Sequence, residues 1–359
     1  MKKQPHRYMR KTAAGMVALS MLCAAAIPCV LAMPAGAASA SGDLNGDGSV
    51  TAADAAILQT ALLGSSKLTA QQYANADVTG DGAVNGLDLS RLRQMIATVP
   101  VSDAIAIHLS DSGITVEGDT KGVTAVSGKT VTISASGNYT VDGTITDGQI
   151  LVNVADPTAD SDAVSLYLQG VTMTSSTGAP CILGQSAGKL KLTCSGINTL
   201  TDTAAAANAD TSGVIYGDCD ITVTKNSTGT LNITSSMNTA IRSKDDIKLN
   251  GGDISINTDV DATSDADAIR ANNTLEIDGA SVTVTSSADG LKSSKEDVSI
   301  LSGKVSIKAG NDAMQAATAL NISGGTVTAS GDRGFTLDEN GVLAITGGDV
   351  LATATDYAF

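Results

Sequence analysis

Residues 265–315 read DADAIRANNTLEIDGASVTVTSSADGLKSSKEDVSILSGKVSIKAGNDAMQ, and one pattern occurs in them three times. A small, an apolar and a polar residue follow one another at Ala268-Ile269-Arg270, Gly290-Leu291-Lys292 and Ala313-Met314-Gln315. After each of the first two come two alternating runs, TLEID and SVTVT, then DVSIL and KVSIK. Alternation with period two marks strands that bury one face, and the intervening Gly, Asn, Asp and Ser are turn formers. One unit is therefore roughly three short strands joined by turns.

Working outward, the triad recurs at Cys181-Ile182-Leu183, Val214-Ile215-Tyr216, Ala240-Ile241-Arg242 and Gly334-Phe335-Thr336. Its apolar centres, from Ile182 to Phe335, lie 33, 26, 28, 22, 23 and 21 residues apart. A recurring period of this size marks a solenoid. A leucine-rich repeat needs a leucine/asparagine frame and a helical segment, and a sandwich lacks such self-similarity. The fold expected is mostly β: a right-handed parallel β-helix whose stacked rungs share one apolar core. Residues 101–163 are strand-rich but unrepeated and are expected to cap or begin it. Cys194 and Cys219 alternate with apolar neighbours and are expected to point inward, as small hydrophobes.

In such a stack one position on successive rungs forms a column. Arg242, Arg270 and Lys292, followed by Gln315, come immediately after an inward residue and are expected to point outward as a basic, sugar-binding ladder. Two positions before the centres stand Asp267, Asp289 and Asp312, at turns where alternation gives no direction, with Asp259, Asp261 and Asp265 just before the first. Stacked carboxylates suit Ca²⁺. They also suit plain turn closure.

Near the N-terminus, DLNGDGSVTAAD (43–54) and DVTGDGAVNGLD (77–88) place oxygen donors at loop positions 1, 3, 5 and 12, with glycine at position 6. Ca²⁺ takes six to eight oxygens, and the glycine permits the sharp turn around it. The expected ligands are Asp43, Asn45, Asp47, Ser49 (carbonyl) and Asp54, then Asp77, Thr79, Ala83 (carbonyl), Asp81 and Asp88. Position 12 is Asp where an EF-hand has Glu, and nothing helical precedes Asp43. A helix is expected after each loop, Ala55 to Leu63 and Leu89 to Ala97, on the spacing of Leu58 and Leu62, then Leu89, Leu92 and Ile96.

Before these loops, a basic start (Lys2, Lys3, Arg7, Arg10, Lys11), an apolar stretch from about Ala13 to Ala32 and small-residue sites such as Ala35-Gly36-Ala37 read as a signal peptide. The expected organisation is 1–40 leader, 41–99 loop–helix module and 100–359 β-helix, in an exported protein. A net charge of −15 argues against nucleic acid and, once the leader is removed, against anionic membranes. There is no Trp and aromatic residues make up 2%, so charge and hydrogen bonding to a pectin-like chain suit the composition better than a flat aromatic sugar platform.

The loop and helix recurring after 34 residues resemble a type I dockerin, over residues 42 to about 98. That family plugs secreted plant-cell-wall proteins into cohesin domains of a scaffold, which implies a cohesin partner contacted at loop positions 10 and 11: Ala52, Ala53, Gly86 and Leu87. YTVDGTITDGQILVNV, NTLTD (198–202) and the D-[AG]-[ILM]-[RKQ]-[AS] element resemble a clostridial β-helix family of carbohydrate-binding domains for cellulose and acidic sugars such as polygalacturonate. The resemblance implies plant cell-wall polysaccharide as ligand. A Ca²⁺-dependent polysaccharide lyase on the same fold, with Asp267 and Asp289 at the metal and Arg270 or Lys292 as base, and a non-catalytic structural role are the alternatives.

Overall fold

The computed structural model describes residues 42–46, 52–80, 82–97, 103–206, 209–258 and 266–357. The leader, Asp47, Ser49, Asp81, Asp259, Asp261 and Asp265 lie outside them.

Among its described residues the N-terminal module holds three helices, α1 (Ala52–Leu62), α2 (Ala70–Ala76) and α3 (Gly86–Ala97). Helices α1 and α3 begin inside their loops, earlier than the apolar spacing suggested, so the position-12 aspartates Asp54 and Asp88 sit in the first turn. There the carboxylate faces the partial positive charge of the helix start. The second helix was not expected. A capping box explains it: the Thr69 hydroxyl accepts from the Gln72 N–H, and the Gln72 side chain accepts from the Thr69 N–H. Leu44, Ala55, Leu58, Ala76 and Leu92 form the module's core. Leu62 is not part of it and is exposed.

The strands form a parallel solenoid with three sheets. Sheet I contains the triads, from Thr130–Ile133 and Gln149–Asn153 through Ile241–Ser243, Ile269–Ala271 and Leu291–Ser293 to the end of Thr326–Leu337. Sheet II runs from Ile105–Leu109 through Ala163–Gln169 and Lys189–Ser195 to Val342–Ile345. Sheet III runs from the end of Gly137–Thr146 through Thr172–Ser175 and Ile197–Asp202 to Asp349–Tyr357. Each coil visits sheet II, then III, then I. Where sheets II and III are joined without a break, in Leu275–Ser286 and Val298–Ala309, the chain bends at Gly279 (φ +101°) and Gly303 (φ +102°). A Cβ on Gly303 would stand 2.3 Å from the Ala280 carbonyl oxygen, so only glycine fits.

The apolar centres stack one per rung. Val131, Ile150, Ile182, Ile215, Ile241, Ile269, Leu291, Met314 and Phe335 are direct cross-strand neighbours in sequence, all at most 5% exposed. Each contributes about 1.5–3 kcal/mol by leaving water, and no rung buries its face without the next. The triad's first residue is small because it lies at a tight corner: a Cβ on Gly290 would meet the Ala313 oxygen and Ile307 Cγ2 at 2.5 Å. Cys181, Cys194 and Cys219 are free and buried in this core, and burial pushes each thiol up to about 12.

Residues 101–163 are not merely a cap. Thr130–Ile133, Gly137–Thr146 and Gln149–Asn153 are already rungs in register with those that follow. Their triad, Gln149-Ile150-Leu151, lacks the small first residue, so the repeat is hidden there. The expected cover lies in two antiparallel pairings, Thr115–Glu117 on Ile105–Leu109 and Thr124–Ser127 on Thr130–Ile133, which occupy strand edges at that end.

Candidate functional site

In the helical module the loop carboxylates act as backbone acceptors. Asp54 Oδ1 accepts from the N–H groups of Leu44 (2.8 Å) and Asn45 (2.9 Å), and Asp43 Oδ1 from Gly46 (2.7 Å). In the second loop Asp77 takes the N–H groups of Gly80 and Gly82, both at 2.8 Å, and Gly82 has the left-handed conformation (φ +82°) expected at position 6. Asp88 accepts from Asn85 N–H, Thr79 N–H and the Thr79 hydroxyl at 2.9, 3.1 and 2.8 Å. Burial pushes its carboxyl up, and these donors together bring it below the usual carboxylate range. Asp88 is fully buried, and among the described residues no lysine or arginine pairs with it. A buried carboxylate held as an anion by neutral donors fits a cation in the loop. Asp43, Asn45, Asp54, Asp77, Thr79, Ala83 and Asp88 would hold such a cation, while Asp47, Ser49 and Asp81 lie outside the described residues. Ala53, Gly86 and Leu87 are exposed on the first turns of α1 and α3, and Ala52 opens α1.

On sheet I the expected ladder forms. Tyr216 pairs with Arg242, Arg242 with Arg270, Arg270 with Lys292 and Lys292 with Gln315, all on the outward side of their strands. Arg242 lies over the Tyr216 ring, 5.9 Å from its centroid, and Lys244 approaches the same ring at 5.7 Å. The Tyr216 hydroxyl donates to Asp218 at 2.6 Å, and Lys244 reaches that carboxylate at 3.0 Å.

The three aspartates, whose direction the sequence left open, stack beside this ladder and are buried (Asp267 4%, Asp289 2%, Asp312 1%). Each faces a side-chain cation. Arg270 Nη1 lies 3.6 Å from Asp267, Lys292 Nζ 2.6 Å from Asp289, and Arg333 meets Asp312 through Nε (2.6 Å) and Nη2 (3.0 Å). Backbone donors complete the column: Asp289 N–H donates to Asp267 and Asp312 N–H to Asp289. Burial pushes the Asp267 carboxyl up to about 6, with Lys292 and Arg270 opposing and Asp289 adding. Asp312 is raised for the same first reason, with Asp289 adding. Among the described residues no three acidic, histidine or cysteine side chains gather as a metal-binding group. Where Ca²⁺ was expected, the structure places Arg270, Lys292 and Arg333 beside Asp267, Asp289 and Asp312.

Arg333 escaped the sequence reading. It stands two residues before Phe335, where the rungs below carry aspartate, and it pairs in register with Asp312. The reversal of sign at that position was the available signal.

The sequence profile of the carbohydrate-binding domain-containing proteins matches residues 127–356, nearly the whole solenoid. The chain belongs to that family. The type I dockerin profile matches residues 41–97, so a dockerin precedes the family's domain. A carbohydrate-binding domain-containing protein of Acetivibrio thermocellus is 34% identical over 139 residues, covering 37% of this chain. The matched stretch spans 46% of that relative's length. Among solved structures, a polysaccharide lyase-like protein from C. thermocellum, a gadolinium derivative, superposes with a TM-score of 0.53 at 24% identity. The match covers 69% of this chain and all of the other, and it shows a shared solenoid fold.

Proposed function

We propose that this chain is an exported, non-catalytic cellulosome-type component that docks to a cohesin through its Ca²⁺-loaded dockerin and binds an acidic plant cell-wall polysaccharide, such as polygalacturonate, on sheet I. The observation that carries this reading is the in-register Arg242–Arg270–Lys292 column, with Arg270 37% and Lys292 22% exposed in their side chains. The buried Asp267 and Asp289 fix Arg270 and Lys292 at one height per rung. Arg270 gives Nε to Ser294 at 3.2 Å and turns Nη1 toward Asp267, and the rest of its five N–H donors remain for a ligand. A rung rise of about 4.8 Å is close to the length of one sugar in an extended chain, so successive uronates meet successive cations. The leader read at residues 1–40 and the dockerin both support a site of action outside the cell.

Binding suits this geometry better than elimination chemistry. A lyase base must accept a proton, and Arg270 and Lys292 are both engaged as cations with buried carboxylates. Affinity electrophoresis in polygalacturonate should retard the protein, and Arg270→Ala/Lys292→Ala should migrate freely. Release of unsaturated uronides, read by ultraviolet absorbance, would instead establish a lyase.

A further inference from the structure

We propose that sheet I is a proton-gated binding face: Asp267, at the end of the buried aspartate column, weakens the hold on a polyanion while ionised and strengthens it once protonated. This rests on the reading of sheet I as the polyanion-binding face and adds its regulation.

The three carboxylates of the column differ in what answers them. Asp312 meets Arg333 at two points, Nε at 2.6 Å and Nη2 at 3.0 Å. Asp289 receives Lys292 Nζ at 2.6 Å, Asn311 Nδ2 at 2.8 Å and the Asp312 N–H at 3.1 Å. Asp267 has a single, longer ion pair, with Arg270 Nη1 at 3.6 Å, and the Asp289 N–H at 3.3 Å. It is only 4% exposed and lies one rung, about 4.8 Å, from a second buried carboxylate. Burial and a neighbouring like charge both favour the neutral acid. Asp267 is therefore the member of the column that takes up a proton first.

Among the described residues, the charged groups facing Asp267 are Arg270 on its own strand, Lys292 on the next strand and Asp289 at the next corner. The rung below carries Arg242 in register with Arg270, and the neutral Thr239 where the aspartate would stand. From sheet III the neighbours of Ala266 are the neutral Thr258 and Ser286. Burial is the largest influence and pushes the Asp267 carboxyl up to about 6, so its charge changes in mild acid.

Arg270 belongs to both the column and the ladder, which couples the two. While Asp267 is an anion, it draws Nη1 of Arg270 inward and its charge stands behind any ligand carboxylate on that guanidinium. Protonation removes the repulsion and frees Nη1 for a two-point contact with the ligand. Arg270, Lys292 and Arg333 answer three carboxylates, so neutralising one leaves one positive charge in excess. A uronate polymer, with ordinary carboxyl groups titrating near about 4, keeps its own charge across this range. By linkage, a bound polyanion in turn draws a proton onto Asp267.

The test is titration calorimetry of the full chain in Ca²⁺ buffer with a short, soluble oligogalacturonate as the probe. Affinity is expected to be about fivefold higher at pH 5 than at pH 7. Near pH 6, heats in two buffers of different ionisation enthalpy should reveal proton uptake on binding, a measurement that needs no variant. Asp267→Asn, neutral and close in shape, should bind at pH 7 as tightly as the parent does at pH 5, and take up no proton. Equal affinities of the parent at the two pH values would overturn the proposal, as would undiminished proton uptake in Asp267→Asn. Absence of binding at both pH values would overturn the sheet I reading, and this proposal with it.

Discussion

Lys292 and Asp289 stand three residues apart across one corner of the solenoid, with Nζ 2.6 Å from the Oδ2 of a carboxylate only 2% exposed. The pair is joined to the next rung, because Asp289 Oδ1 also accepts from Asn311 Nδ2 at 2.8 Å and Asp312 N–H at 3.1 Å. Removing Lys292 therefore leaves a buried charge without its cation. Lys292→Ala is expected to lose about 3 kcal/mol, against roughly nothing for the unpaired outward Lys248→Ala. Denaturant midpoints of the two variants decide it.

Asp267 makes stability depend on pH. Its folded pKa, about 6, lies above the ordinary value of 3.8, so the folded state binds the proton more tightly than the unfolded chain. The contribution is fully present below about pH 4 and is lost as pH rises through 6. Its size is on the order of 2–3 kcal/mol. Asp267→Asn should flatten the parent's decline in melting temperature between pH 4 and 7. An unchanged decline would place the titration elsewhere.

The dockerin is expected to fold only with Ca²⁺, because Asp88 is buried without a basic partner among the described residues and a cation binding only the folded form supplies stability. Calorimetry with excess chelator should abolish the dockerin transition and leave that of the solenoid. Asp88→Ala should do the same in Ca²⁺ buffer.

Asn198 ties three coils together. Asn198 is itself fully buried; its Oδ1 accepts from Val171 N–H at 2.9 Å, while Nδ2 donates to the carbonyls of Ser195 (3.1 Å) and Thr230 (3.2 Å). Asn198→Ala orphans the buried Val171 N–H on the neighbouring rung and should cost about 1–3 kcal/mol. Asn198→Asp should be no better, since a carboxylate cannot donate to those carbonyls. Thermal melts of both variants test this.

The rung alignment was legible because strand alternation and corner sterics act locally: Ile241, Ile269 and Leu291 fall in register as their triads indicate. The loops at 43–54 and 77–88 were legible for the same reason, since a metal loop carries its ligands at fixed spacing. Helix α2 was missed although its capping box, Thr69 and Gln72, lies in plain sequence. Residues 130–153 were expected to cap or begin the helix, but their repetition was not legible because Gln149 replaces the small corner residue of the triad.

By itself, then, the sequence determined the solenoid, its core columns, the outward side of Arg242, Arg270 and Lys292, and the dockerin loops, all consequences of spacing along the chain. Only the tertiary structure decided what the aspartates face. A carboxylate at a turn has no direction until the next coil closes over it. Here the stacked coils shut Asp267, Asp289 and Asp312 away from water, where the unanswered charge draws in Arg270, Lys292 and, from one rung on, Arg333.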